Sequence, residues 1–304
     1  MLKGTPDLRR DAQLGFVYGL GAYLWWGVAP LYFNLMTHVH PVVVLAHRVL
    51  WSALLSVLIV LVQRRWAEVW RACCSRQLLA KLAVASVLIG INWGVFIYAV
   101  TIGQVLQASL GYYINPMISV LLGLLFLRER LRPWQWVAVG LAVVGVGYLT
   151  LQGQTFPWIS LTLALSFGLY GLVRKKMDVG PVVGLAVETT LLVPLAAAVL
   201  MVPWGADQTL SVGTYCLMAM SSVITSVPLL LFTAAVRRLR LATIGFMQYV
   251  GPTVQFLVAI LILGEHLRPE QLMTFCFIWS AVVIYSVDSL RAHRAVQPVV
   301  EMAE

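Results

Sequence analysis

Glu129-Arg130-Leu131-Arg132-Pro133 returns 136 residues later as Glu265-His266-Leu267-Arg268-Pro269. Thirteen residues before each glutamate stands a proline, Pro116 and then Pro252. The same offset superposes Ser86 on Ser222, Phe96 on Phe232, Ala99-Val100 on Ala235-Val236, Tyr113 on Tyr249 and Gln135 on Gln271. One register held over three apolar segments marks an internal duplication. Duplicated membrane proteins are typically transporters whose substrate site lies between the halves.

The surrounding chain is built for lipid. Of its 304 residues, 61% are hydrophobic and 11% charged, with a mean hydropathy of +0.88. A soluble domain carries about 25% charged residues, so most side chains here must face lipid or protein. The net charge of +9 does not point to nucleic acid, because the basic residues fall in short segments between apolar runs. Four cysteines suggest neither a disulfide framework nor a metal site: Cys73-Cys74 are adjacent in a basic loop, and Cys216 and Cys276 lie in apolar runs.

Ten apolar runs reach the roughly 20 residues of a helical span: 14–36, 42–63, 80–101, 104–127, 133–151, 157–174, 182–202, 212–236, 241–263 and 270–290. The first is too long for a signal-peptide core and is read as retained. Such closely spaced long runs are helices, since barrel strands alternate. The expected architecture is an all-α integral membrane protein.

With the N-terminus inside, 19 of the 21 Lys and Arg fall in inside segments, Arg268 alone falls outside, and Arg48 falls within a span. That asymmetry predicts cytoplasmic termini. Five spans per repeat then send the two copies into the membrane from opposite sides, as inverted repeats. The expected division is a cytoplasmic N-terminus (1–13), a first five-helix repeat (14–151), a second (157–290) and a cytoplasmic tail (291–304), disordered after Arg294. The segment 152–156 joins the halves.

Particular motifs carry a family resemblance. Trp26-Gly27-Val28-Ala29-Pro30-Leu31-Tyr32-Phe33, His47-Arg48-Val49-Leu50-Trp51-Ser52, Ile89-Gly90-Ile91-Asn92-Trp93 and Ala108-Ser109-Leu110-Gly111-Tyr112-Tyr113-Ile114-Asn115-Pro116 resemble the RarD family of EamA-type permeases, in the drug/metabolite transporter superfamily. Tyr170-Gly171-Leu172-Val173-Arg174-Lys175-Lys176 and Leu239-Arg240-Leu241-Ala242-Thr243 add to the set, and the likeness covers residues 12–290. The resemblance implies a multi-pass permease of the bacterial inner membrane that exports drugs or metabolites.

Ionisable groups inside spans cost about 2.5–3.5 kcal/mol each on insertion scales and are functional candidates. His47 and Arg48 lie near the outer end of the second span, and Glu188 lies near the inner end of the seventh. Each is roughly 9 Å deep at 1.5 Å per residue, which leaves a depth separation of about 12 Å in a hydrocarbon core of about 30 Å. They are therefore expected as counterparts near opposite mouths, without a direct Arg48–Glu188 ion pair. Arg48 is the fixed cation for an anionic group. His47 and Glu188 can change protonation and are the proton-coupling candidates. The alternative is snorkelling to the headgroups.

A second set is uncharged. Trp26, Asn92, Trp93, Tyr113, Asn115, Tyr170, Gln248 and Tyr249 suit a midplane site for an amphipathic or aromatic substrate. Interfacial anchoring and helix bridging are the competing readings. Pro116 and Pro252 each remove a helix hydrogen bond and are expected to kink their spans. Glu129 and Glu265 are expected as latches held by Arg132 and Arg268. Small residues at Ala138, Gly140, Ala142, Gly145 and Gly147 predict close packing of the fifth span.

The expected function is secondary-active or facilitative transport by alternating access, with lipid, a small-molecule substrate and protons as partners and no cofactor or nucleic acid. No phosphate-binding G-x-x-x-x-G-K-[ST] loop is present to use ATP. The alternative is an intramembrane enzyme acting on a lipid-linked substrate. It would need a nucleophile or metal constellation, and neither H-E-x-x-H nor G-x-S-x-G occurs.

Overall fold

A computed structural model describes residues 5–127, 131–153, 156–202, 204, 210–239 and 241–301. Among them are twelve helices and no strand: α1 (Thr5–Asn34), α2 (Pro41–Val62), α3 (Trp66–Cys74), α4 (Arg76–Thr101), α5 (Val105–Leu127), α6 (Pro133–Gln152), α7 (Trp158–Lys175), α8 (Pro181–Leu200), α9 (Val212–Val236), α10 (Leu241–Met247), α11 (Val250–Leu261) and α12 (Pro269–Glu301). Nine helical segments among the described residues are long and apolar enough to cross a membrane. This is an all-α membrane protein.

Local chemistry sets the helix starts. Proline opens α2, α6, α8 and α12, where its missing N–H costs nothing. Ser75 and Ser211 accept from Leu78 N at 3.4 Å and Thr214 N at 3.1 Å, capping α4 and α9.

 Helix α7 occupies the sixth expected span, 157–174, yet it is not among the nine apolar crossings. Ser160, Thr162 and Ser166 lower its hydropathy, and it ends on Arg174-Lys175. Its hydroxyls are used inside the protein: Ser160 Oγ donates to Gln107 O at 2.7 Å, and Ser166 Oγ accepts from Asn92. A helix wedged between α4 and α5 has less need of a lipid-facing surface.

Three expectations are corrected. The loop after α2 contains an amphipathic helix, α3, with Trp66 and Trp70 exposed and Ala72 buried. The ninth expected span is broken at Gln248-Tyr249 into α10 and α11, whereas α5 runs unbroken through Pro116. Each proline removes the donor for the carbonyl four residues earlier, so packing decides whether the helix bends or breaks. The stretch after Arg294 continues as helix to Glu301.

The main packing pairs are α2 with α8, α5 with α7, α6 with α12, α1 with α9 and α11, α4 with α7 and α8, α2 with α9, and α5 with α11. Two glycines allow helices to approach closely. A Cβ on Gly27 would lie 2.5 Å from Val254 Cβ on α11, and one on Gly111 would lie 2.6 Å from Ser160 O on α7. In α6, Ala138, Ala142 and Gly145 face inward, and Gly145 O accepts from Thr274 Oγ1 of α12 at 3.2 Å. Gly140 and Gly147 face open space.

Candidate functional site

The eighth residue of α2 is Arg48 and the eighth of α8 is Glu188. Both side chains are buried, but they are held differently. Arg48 Nε donates to Thr225 Oγ1 on α9 at 3.1 Å. Its guanidinium lies over the Trp93 ring, 4.2 Å from the centroid, and 5.2 Å from that of Phe33. Glu188 Oε1 accepts from Arg174 Nη1 at 3.2 Å, and Oε2 accepts from the Tyr170 hydroxyl at 3.1 Å. Arg174 belongs to the end of α7, so a residue assigned to a cytoplasmic loop is the ionic partner of a span carboxylate. Gly184 makes this possible, since a Cβ there would lie 2.7 Å from Arg174 Cζ.

The two groups are far apart in depth. Ser56 of α2 meets Thr189 of α8, Oγ to Oγ1, at 3.4 Å. Arg48 is eight residues from Ser56, or about 12 Å along the helix. The expectation of no direct Arg48–Glu188 pair agrees with the partners observed.

Asn92 joins three helices near Arg48. Its Nδ2 donates to Leu163 O and Ser166 Oγ on α7, both at 3.1 Å, and its Oδ1 accepts from the Tyr112 hydroxyl at 3.1 Å. An aromatic run continues from there. Phe33, Phe96, Tyr112, Phe167 and Tyr170 follow one another with ring centroids 5.9, 6.1, 6.2 and 6.1 Å apart. The run starts beside Arg48 and ends on the residue that donates to Glu188.

The remaining expected residues separate from this group. Tyr113 stacks on Tyr249 at 6.4 Å, and its hydroxyl is 2.6 Å from Thr253 Oγ1, between α5, α11 and α12. Gln248 lies in the break before α11. Trp26 packs with Tyr23 at 5.6 Å and Phe232 at 5.9 Å, and its carbonyl accepts from Gln255 Nε2. Asn115 is turned to α7, where its Oδ1 would be 3.5 Å from a Cβ on Gly168. Pro116 is buried in α5, and Pro252 O accepts from Ser109 Oγ at 2.8 Å. His47 lines a cavity of about 1000 Å³ with His38, His40, Trp204 and Tyr215, at the end of the bundle assigned to the outside.

One expected latch is also corrected. Glu265 does not pair with Arg268. Its carboxylate accepts from Val105 N at 2.5 Å and Leu106 N at 2.9 Å, capping α5. Burial holds this carboxyl above its ordinary range, against the two N–H donors that lower it. Arg268 pairs with Glu270 at 3.3 Å. Arg132 pairs with Asp288 of α12 at 2.6 Å, and Glu129 lies outside the described residues. The four cysteines are free. Among the described residues, no group of three or more His, Cys, Asp or Glu is arranged to hold a metal ion.

Sequence reasoning missed Arg174, Thr225 and Phe33. One signal was available for the first. Pro41-Val42-Val43-Val44-Leu45-Ala46 resembles Pro181-Val182-Val183-Gly184-Leu185-Ala186, and the glycine in the second copy marks where a neighbour must enter. Nothing in the sequence ties Thr225 to Arg48.

Comparison with known proteins agrees with this architecture. The EamA-like transporter family matches residues 13–151. The chain is 43% identical over 297 residues to an uncharacterized transporter of Vibrio cholerae, covering 96% of this chain and 97% of that one. It is 42% identical over 291 residues to protein RarD of Escherichia coli strain K12, covering 94% and 98%. A solved crystal structure shares the fold, with a TM-score of 0.60, 15% identity, and coverage of 93% and 99%. The chain belongs to the EamA-like transporter family, as a RarD-type permease. It is a membrane transporter, and a multi-pass protein of the bacterial inner membrane.

Proposed function

We propose that the protein is a secondary-active or facilitative exporter of small metabolites or drugs. It works by alternating access between two inverted five-helix halves of a ten-span chain, with both termini cytoplasmic. In this reading α10 and α11 together form the ninth span. The observation that carries it is the pattern of helix contacts. If α1, α2, α4, α5 and α6 are exchanged with α7, α8, α9, α10–α11 and α12, the contact of α1 with α9 becomes that of α7 with α4. The contact of α1 with α11 becomes that of α7 with α5, and that of α2 with α9 becomes that of α8 with α4. Two halves related in this way can rock about a shared site and open one mouth at a time.

Arg48 is the substrate-facing cation in this reading. Glu188 is the coupling carboxylate, with His47 at the outer mouth. Names of relatives support transport over catalysis: the Vibrio cholerae and Bacillus subtilis proteins are both called uncharacterized transporters.

The test is uptake into proteoliposomes of metabolites and phenicol-type drugs, with and without a pH gradient, beside Arg48→Ala and Glu188→Gln. Saturable flux that follows the gradient and is lost in Glu188→Gln is the expected result for proton coupling. Gradient-independent flux that survives Glu188→Gln would make the protein facilitative and Glu188 structural.

A further inference from the structure

Three charged side chains are buried among the described residues: Arg48, Glu188 and Asp288. Two have opposite charges beside them. Glu188 pairs with Arg174 at 3.2 Å and Asp288 with Arg132 at 2.6 Å. Arg48 has no acidic partner among the described residues. Its hydrogen bond goes from Nε to the Thr225 hydroxyl, its guanidinium lies against the faces of Trp93 and Phe33, and Tyr32 and Tyr112 are close enough to interact with its charge. A buried cation held by a hydroxyl and two rings is not neutralised, and burial of an unpaired charge is strongly unfavourable.

Two further polar groups lie unused on the same two helices. Ser52 is one turn deeper than Arg48 on α2, and Ser226 follows Thr225 on α9. Both hydroxyls are fully buried and have no hydrogen-bond partner. The two helices that hold Arg48 thus carry one unneutralised positive charge and two unused hydroxyls, with the Trp93 and Phe33 rings against the guanidinium.

We propose that this place binds an organic carboxylate with an aromatic or flat apolar body, with the carboxylate on Arg48 and the Ser52 and Ser226 hydroxyls. A guanidinium suits this group because its parallel N–H donors match the two carboxylate oxygens. Trp93 and Phe33 border Arg48, Phe96 packs on Phe33, and these rings take the apolar body. Glu188 is about 12 Å deeper and already paired, so a single negative charge on the ligand suffices. The inference deepens the transport reading above and rests on it for its physiological meaning, but binding can be measured without flux.

The experiment is equilibrium binding to the purified full-length protein in detergent, read by thermal stabilisation and tryptophan fluorescence. The probes are benzoate, phenylacetate, 3-phenylpropionate and indole-3-acetate, each beside its carboxamide, with phenethylamine and chloride as charge controls. Carboxylates should stabilise the protein saturably, and carboxamides and the amine should not. Arg48→Gln should weaken carboxylate binding roughly tenfold or more, the loss expected for one charge-assisted contact. The Ser52→Ala and Ser226→Ala variants should fold normally and weaken it less. Equal binding of acids and amides, carboxylate binding unchanged in Arg48→Gln, or no response to any carboxylate would overturn the proposal. A response to chloride alone would also overturn it, making Arg48 an inorganic-anion site. Arg48-dependent binding without flux would sustain this inference and count against transport of these acids. Saturable flux of neutral or cationic solutes that survives Arg48→Gln would sustain transport and sink the carboxylate site.

Discussion

Arg174 reaches Glu188 across the face of Gly184. The ion pair joins the last turn of α7 to the interior of α8, with Arg174 Nη1 donating to Glu188 Oε1 at 3.2 Å. Glycine four residues before the glutamate leaves the space that the guanidinium fills.

That arrangement makes Gly184→Ala disruptive despite its small size. The added methyl should displace Arg174 and leave Glu188 buried without its counter-charge. Removing one partner of a buried pair costs about 3–5 kcal/mol, so Arg174→Gln alone should lower thermal stability sharply. The Arg174→Gln, Glu188→Gln double variant should recover much of that loss. Thermal melts of the four proteins in detergent form the cycle, and additive effects would show that the pair is not coupled.

Asn92 should matter for folding more than for substrate affinity. Both ends of its amide are occupied, by α7 on one side and by Tyr112 on the other. Asn92→Ala leaves Ser166, Leu163 O and Tyr112 short of a partner, at a cost of about 1–3 kcal/mol. A lower melting temperature with unchanged KM for transported substrate is the expected result. A raised KM at unchanged stability would return Asn92 to the substrate path.

Glu265 gives a pH dependence with a definite sign. Burial raises its folded-state pKa above the ordinary 4.5, so the folded protein holds this proton more tightly than the unfolded chain does. The contribution is complete below the ordinary value and is lost as pH rises through the raised one. Melting temperatures between about pH 4 and pH 8 should therefore contain a falling component that is absent in Glu265→Gln. Glu265→Ala should also cost about 1–2 kcal/mol through loss of the α5 cap. A flat difference between wild type and Glu265→Gln across that range would refute the assignment.

The break before α11 should serve movement. Pro252 leaves Gln248 O without its helical donor, and the interruption falls at Gln248-Tyr249. Pro252→Ala restores the donor and should join α10 to α11. Raised thermal stability with reduced transport turnover is expected. Unchanged turnover in a demonstrably more stable variant would remove the break from the transport cycle.

Much of this was legible along the chain because lipid imposes a one-dimensional rule. A span must be apolar for its whole length, so composition located the helices, and loop arginines supplied an expected orientation. The isolated polar residues Arg48, Asn92 and Glu188 stood out for the same reason, as costly exceptions in apolar runs. The rule fails where protein replaces lipid as the solvent, as for α7, which carries serines because α4 and α5 receive them. It also missed α3, whose Trp66 and Trp70 suit an interface and not a span.

Partners were decided only in three dimensions. Two prolines at matched positions produced one continuous helix and one break, since neighbouring side chains determine whether a freed carbonyl bends or interrupts a helix. Two charges at the eighth positions of α2 and α8 acquired opposite circumstances. Glu188 met an arginine from the preceding helix, through the gap that Gly184 leaves, whereas Arg48 met a hydroxyl and two aromatic rings. The sequence by itself determined that a charge stands within an apolar segment at each place, because hydropathy is a property of each segment. Whether that charge is neutralised depends on side chains brought from distant segments, 177 residues away in the case of Thr225, and only the tertiary packing decided that.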